Sequence, residues 1–197
     1  SIWRAMWSSC IKCTVMRLGD RELDLSQPQV MAIINVTDDS FFEGSRTVDE
    51  QSIASRVREA IASGATILDV GGYSSRPGAK ELSVDEEWER VRKGLRGIKD
   101  VAADAFVSVD TFRSEVVRRA VEEFGDVIVN DISAGELDDE MIDVVAKYNL
   151  PYIAMHMRGT PQTMQSMTEY PNGVVEEVCR YFEKKVAELH SRGVSKI

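Results

Sequence analysis

The chain reads as a parallel α/β fold of five consecutive strand–helix units, and two observations predict it. Short apolar runs stop at a polar residue: Met31-Ala-Ile-Ile-Asn35, Ile67-Leu-Asp-Val-Gly71, Phe106-Val-Ser-Val-Asp110, Val127-Ile-Val-Asn130-Asp131 and Pro151-Tyr-Ile-Ala-Met-His156. After each run comes a loop and then a segment with helical periodicity. Runs of Val, Ile and Leu suit parallel strands whose two faces are both covered. Ligands collect beyond the carboxyl ends of such strands, so the polar stops form a row of candidate site residues.

Taken in order, 11–18 and 21–25 alternate around Gly19-Asp20 and predict a hairpin ahead of the main fold. Strand one is expected over 30–35, with a helix over 49–63 carrying Ile53, Val57 and Ile61 on one stripe. Thr47-Val-Asp-Glu50 offers a capping box for that helix. Strand two is expected over 66–70, then a helix over 84–98 opened by a second capping box, Ser83-Val-Asp-Glu86. Strand three (105–109) precedes a helix over 113–124 that groups Val117, Ala120, Val121 and Phe124. Strand four (127–130) leads to a helix near 138–148. Strand five (151–155) leads to a helix over 172–192 carrying Val175, Val178, Phe182, Val186 and Leu189. Such alternation fits a doubly wound sheet or a barrel. No G-x-G-x-x-G follows strand one, which argues against the dinucleotide-binding version.

Twenty-four basic against thirty-three acidic residues leave a net charge of −9, which argues against a general nucleic-acid-binding face. A few well-placed cations can still hold an anionic substrate. No apolar segment approaches the length of a membrane span. Cys10, Cys13 and Cys179 cannot all pair, so a reducing compartment is expected, and Cys10-Ile-Lys-Cys13 is only half a metal site. Residues 1–19 hold Arg4, Lys12 and Arg17 and no acid, but lack an Arg/Ser-rich amphipathic helix, so the cytoplasm is the expected location.

The loops carry the chemistry. Asn35 opens the polar loop 35–44 and can offer an amide oxygen to a hard cation or bond a phosphate oxygen; an Asn-capped turn is the plainer alternative. Gly71-Gly-Tyr-Ser-Ser-Arg-Pro-Gly78 combines close backbone approach, two hydroxyls and the fork of Arg76, a set suited to an anion. Asp110 and Asn130 end strands three and four, where carboxylate plus amide match a flat heterocycle with N–H donors and ring acceptors; both could instead cap the following helices. Asp131, one residue further on, has the stronger claim to a capping or supporting task. In the loop after strand five, Met155, Met157 and Met164 could pack on an aromatic ligand or simply fill core. His156 is expected to be a hydrogen-bonded structural histidine, and Asp85-Glu-Glu-Trp-Glu-Arg90 a solvated helix face.

In register, these motifs resemble the dihydropteroate synthases, the folate-pathway enzymes that sulfonamides inhibit. The likeness runs from about Val30 onward through Ile34-Asn-Val-Thr-x-Asp-Ser-Phe41, Gly71-Gly-x-Ser-x-Arg-Pro-Gly-Ala79, Ser108-Val-Asp-Thr111, Val129-Asn-Asp-Ile132 and Met155-His-Met-Arg-Gly-Thr-Pro-x-Thr-Met164. The resemblance implies an α/β fold of the (β/α)8 TIM-barrel type. It implies condensation of 4-aminobenzoate with (7,8-dihydropterin-6-yl)methyl diphosphate to 7,8-dihydropteroate and diphosphate, with Mg2+ as cofactor and a homodimer as the assembly. By the same resemblance Asn35 holds the magnesium, Asp110 and Asn130 bind the pterin edge, and Ile132 and Met157 wall it. Ser75 contacts the pterin diphosphate, while Arg76, Pro77 and Phe41 order the loops over aminobenzoate. Arg76 and Asp110 are the expected catalytic residues. The chain departs from the pattern at Asp38 (commonly Pro), Glu43 (commonly Asp nearby), Tyr73 (commonly Glu) and Ser75 (commonly Thr).

A full barrel needs roughly 250 residues. The expectation is therefore an N-terminal extension and hairpin over 1–29 and a pterin-binding barrel domain over 30–197 that is incomplete at its C-terminus. The family's later Asp-Pro-Gly strand, its site Lys and its Arg-x-His clamp do not occur in this sequence. Two rival readings remain: the pterin-binding module of a corrinoid-dependent methyltransferase, and a non-catalytic pterin-binding fragment.

Overall fold

The computed structural model describes residues 15–36, 50–74, 81–161 and 163–197. Phe41, Ser75, Arg76 and Pro77, Cys10 and Cys13, and the capping residues Thr47 to Asp49 lie outside them. Among the described residues no helix is long and apolar enough to cross a membrane.

An antiparallel hairpin, β1 (Val15–Leu18) and β2 (Arg21–Asp24), turns at Gly19-Asp20. Five parallel strands follow: β3 (Met31–Asn35), β4 (Ile67–Gly71), β5 (Phe106–Asp110), β6 (Ile128–Asp131) and β7 (Tyr152–Ala154). Helices α1 (Glu50–Ala62), α2 (Val84–Val101), α3 (Ser114–Phe124), α4 (Met141–Tyr148) and α5 (Val174–Ser191) alternate with them. The strand order β3-β4-β5-β6-β7 never reverses. A doubly wound sheet reverses at its switch point; a sheet that always adds the next strand on the same side is the arc of a barrel. Five staves of a TIM-type barrel are present, and the sheet is not closed.

Because side chains alternate across a strand, the sheet has two different faces. Ile34, Leu68, Val70 and Val109 point outward and bury against Ile53 and Val57 of α1 and Trp88, Val91, Leu95 and Ile98 of α2. Val129 and Tyr152 continue this layer against α3, α4 and Leu189 of α5. Helix α2 lies close because a Cβ at Gly94 would stand 2.6 Å from Val70 Cγ1, and one at Gly97 2.5 Å from Ile53 Cγ2. The helical core thus covers the outer face, not both faces as the apolar runs implied. The inner face carries Asn35, Asp69, Ser108, Asp110 and Asn130. Its floor is apolar, where Leu18 and Leu23 of the hairpin pack with Ile67 and Ile128.

The capping box on α2 forms as read: the Glu86 backbone N–H donates to Ser83 Oγ at 3.2 Å, and the Ser83 N–H to Glu86 Oε2 at 2.8 Å. Helix α4 starts at Met141 rather than near 138. Asp138 is otherwise engaged, accepting from the N–H of Ser114 at 2.7 Å and of Glu140 at 3.0 Å, and such local bonds compete with helix. Ile61 and Val175, expected on buried stripes, are exposed near helix ends.

Candidate active site

Strand register brings the predicted residues to one rung. Asn35 pairs with Gly71, Gly71 with Asp110, and Asp110 with Asn130. Each points inward at the carboxyl end of its strand, which is where a barrel carries its chemistry. Gly71 supplies the room: a Cβ there would stand 3.3 Å from Asn35 Oδ1 and 3.4 Å from Asp110 Oδ2. The amide and the carboxylate therefore converge over a residue without a side chain.

Asp110 caps no helix. The position before α3 is Arg113, which makes no side-chain capping bond. Burial, followed by the like charges of Asp69, Glu87 and Asp131, pushes the Asp110 carboxyl up to about 7. A carboxylate held in this way gains from a ligand that brings N–H donors to it. Beside it a small cavity of about 30 Å³ is lined by Tyr73, Asp110, Thr111, Phe112, Ile132 and Pro161. Ile132 is thereby placed at the site with Asp110. Met157 is buried in the loop after β7.

Two acidic residues that sequence reasoning missed support this rung. Asp69 lies one inward step below Gly71 and is 4% exposed. Its Oδ1 accepts from Ser108 Oγ at 2.5 Å and its Oδ2 from Asn130 Nδ2 at 3.2 Å. Burial raises its pKa, and these two hydrogen bonds act in the opposite direction. The available signal was an acid interrupting an apolar strand at the same parity as Gly71.

The other is Glu87: Asp85, Glu86 and Glu89 are exposed as expected of a solvated face over 85–90, but Glu87 and Trp88 overturn that expectation. Glu87 and Trp88 are buried. They stand four and three residues before Val91, on the stripe that continues to Leu95 and Ile98. Glu87 accepts from Thr111 Oγ1 at 2.6 Å and from Arg113 Nη1 at 2.9 Å. Arg113 also donates to the Leu82 carbonyl at 2.7 Å and lies over the rings of Tyr73 and Phe112 at 5.4 and 5.3 Å. A buried charge with its partner beside it ties α2 and the base of the second loop to the end of β5.

Asp131 turns to the outer face, as its position one residue beyond Asn130 requires. It accepts from the Ser133 N–H and Oγ (both 2.8 Å), the Gly135 N–H (2.8 Å) and Tyr152 OH (2.7 Å). The supporting task expected of it is what it performs. His156, expected as a hydrogen-bonded structural histidine, packs its ring edge-on against Tyr181 at 4.8 Å, with Tyr170 and Phe182 beyond.

Among the described residues no group of three or more His, Cys, Asp or Glu forms a metal cluster. Asn35 offers a single hard oxygen. That donor fits magnesium, which keeps several waters and takes substrate phosphates in preference to an all-protein cage.

Comparison with known proteins places this arrangement. The chain is 41% identical over 177 residues to the dihydropteroate synthase of Escherichia coli, covering 88% of this chain and 60% of that protein. It is 42% identical over 185 residues to a mitochondrial folate synthesis bifunctional protein of Arabidopsis thaliana, covering 89% of this chain and 32% of that one. The chain thus spans about a third to three-fifths of these relatives. Among solved structures, Yersinia pestis dihydropteroate synthase in complex with a sulfonamide drug superposes with a TM-score of 0.82 at 32% identity, covering 92% of this chain and 65% of that one. Xanthomonas albilineans dihydropteroate synthase with 4-aminobenzoic acid gives 0.79 at 33%, covering 93% and 63%. The family model described as "Pterin binding enzyme" matches residues 31–197, from the first inward-facing stave to the last residue, and the chain belongs to that family.

Proposed function

We propose that the chain is the pterin-recognising part of a dihydropteroate synthase, which joins 4-aminobenzoate to (7,8-dihydropterin-6-yl)methyl diphosphate and releases 7,8-dihydropteroate and diphosphate. The observation that carries this reading is the shared rung of Asn35, Gly71, Asp110 and Asn130. An anionic acceptor beside an amide suits the amino and ring N–H edge of a pterin, whose other edge and exocyclic arm then lie toward the loops. Residues 30–197 form the barrel part and 1–29 precede it.

In the reaction the aminobenzoate nitrogen bonds to the pterin methylene carbon, the carbon–oxygen bond to diphosphate breaks, and the nitrogen gives up a proton. Asp110 holds the heterocycle while positive charge develops on it. Arg76 stabilises the departing diphosphate. Ser75 contacts the diphosphate, and Phe41 and Pro77 help the loops keep water from the methylene carbon. Ile132 and Met157 flank the ring. Asn35 would contribute one ligand to a magnesium ion, which supplies charge to the leaving group. A cytoplasmic homodimer completes the reading.

Titration calorimetry with the pterin diphosphate tests recognition, and chromatography of pteroate formed from 4-aminobenzoate tests turnover. Binding that weakens sharply in Asp110→Ala supports the assignment. Methyl transfer from a pterin in place of pteroate formation would transfer the chain to another class, and unaltered affinity in Asp110→Ala would remove the pterin edge from this site.

A further inference from the structure

We propose that Asp69 is a positioning residue which fixes the amide of Asn130, so that Asn130 presents its oxygen, not its nitrogen, to the heterocycle. The inference rests on the pterin reading above and concerns a residue that lies beneath the ligand-facing rung. Asp69 and Ser108 lie at one level of the barrel interior, Asp110 and Asn130 at the next. Ser108 is fully buried and its hydroxyl occupies Asp69 Oδ1 at 2.5 Å. Among the described residues, Asp69 Oδ2 then has Asn130 Nδ2 as its partner, at 3.2 Å.

A carboxylate only accepts, so it draws the NH2 end of a neighbouring amide and repels the oxygen. With Nδ2 held below, Asn130 Oδ1 is left for the chamber, beside its rung partner Asp110. The two side chains then offer acceptors to adjacent N–H donors, the pattern on the amino-lactam edge of a pterin. Released from Asp69, the amide could turn over and donate to Asp110 instead. That internal bond would satisfy the carboxylate and compete with the ligand for it. Asp69 therefore acts on recognition through Asn130 without touching the ligand.

Asp69→Asn is nearly isosteric and replaces an acceptor-only group with one that offers either atom. With the 197-residue chain, calorimetry against 6-hydroxymethyl-7,8-dihydropterin, which probes the ring alone, should show about a tenfold loss of affinity. In an Asn130→Ala background the same change should cost less than about twofold, since a residue acting through another has no effect once that other is gone. Ser108→Ala, which removes one hydrogen bond from Asp69, should give a smaller loss that also vanishes with Asn130→Ala; it carries the test if Asp69→Asn does not fold. A ligand-free readout separates this proposal from the functional one. The two side-chain amide protons of Asn130 should resonate far apart and exchange slowly in the parent chain, and converge in Asp69→Asn. Wild-type affinity in Asp69→Asn, equal losses in both backgrounds, or an unmoved Asn130 amide signal would each overturn the proposal. Failure of the parent chain to bind any pterin, with the amide signals behaving as described, would instead overturn the functional reading and leave the Asp69–Asn130 coupling standing.

Discussion

Asn130 and Asp131 are neighbours in one strand, yet they belong to two different environments. Asp131 faces the helices and accepts four hydrogen bonds from the Ser133-Ala-Gly135 turn and Tyr152. Asp110, on the opposite face of the adjoining strand, receives no hydrogen bond on its carboxylate among the described residues, and burial, followed by the like charges around it, raises its pKa to about 7. The helix-covered face uses a carboxylate to close a turn. The inner face holds one in a condition that a ligand relieves. Burial is common to both, and the supply of donors distinguishes them.

The largest expected effect tests the helix-covered side. Asp131→Ala strands the turn N–H groups and the Tyr152 hydroxyl, and should lower unfolding free energy by on the order of 3–5 kcal/mol in denaturant titration. A loss below about 1 kcal/mol would erase the contrast. Asp110→Ala should do the reverse. Affinity for the pterin diphosphate should fall roughly ten- to a hundredfold, while stability stays level or rises because a crowded charge is gone. Destabilisation comparable to Asp131→Ala would make Asp110 another structural acid.

The pH dependence sharpens the same point. The Asp110 carboxyl titrates near 3.8 as a model group and near 7 in the fold. Its contribution to stability is therefore complete below about 3.8, declines as pH rises towards 7 and is flat above it. The folded state holds the extra proton across that window, so the parent chain should lose stability relative to Asp110→Asn as pH is raised through it. Thermal melts of both proteins between these limits measure the difference, and parallel curves would contradict it. Ligand affinity should move oppositely, strengthening as Asp110 ionises. The smallest effect is expected for Gly71→Ala. Its Cβ would crowd Asn35 Oδ1 slightly, at 3.3 Å, and touch Asp110 Oδ2 at 3.4 Å. Pterin affinity should drop by about threefold with the melting temperature nearly unchanged; a large loss of melting temperature would show that the space serves packing rather than the ligand.

Much of the site was legible because it follows chain grammar. An apolar run, a polar stop and a helical period place Asn35, Asp110 and Asn130 at strand ends without any knowledge of what lies beside them. Parity does the same for Asp131, which must face away from Asn130. Glu87 was misread because its neighbours Asp85, Glu86 and Glu89 suggest a wet surface, whereas its spacing to Val91 and Leu95 puts it on the packed stripe. Nothing local shows that Arg113, twenty-six residues later, will meet it. The start of α4 was misplaced for a similar reason, since Asp138 is engaged by the N–H of Ser114 from another unit.

Local patterning sets the order of elements, the hairpin, the capping box at Ser83 and the polar residue that ends each stave. These depend on periodicity and on contacts a few residues apart. Long-range pairing makes the strands add in one direction, leaves a single face covered by helices, and sets Asn35, Gly71, Asp110 and Asn130 level with one another. Level depends on register between strands tens of residues apart, and the chain writes register nowhere locally. The same pairing buries Asp69 under Asn130 and raises Asp110, because a carboxylate's environment is set by what folds around it.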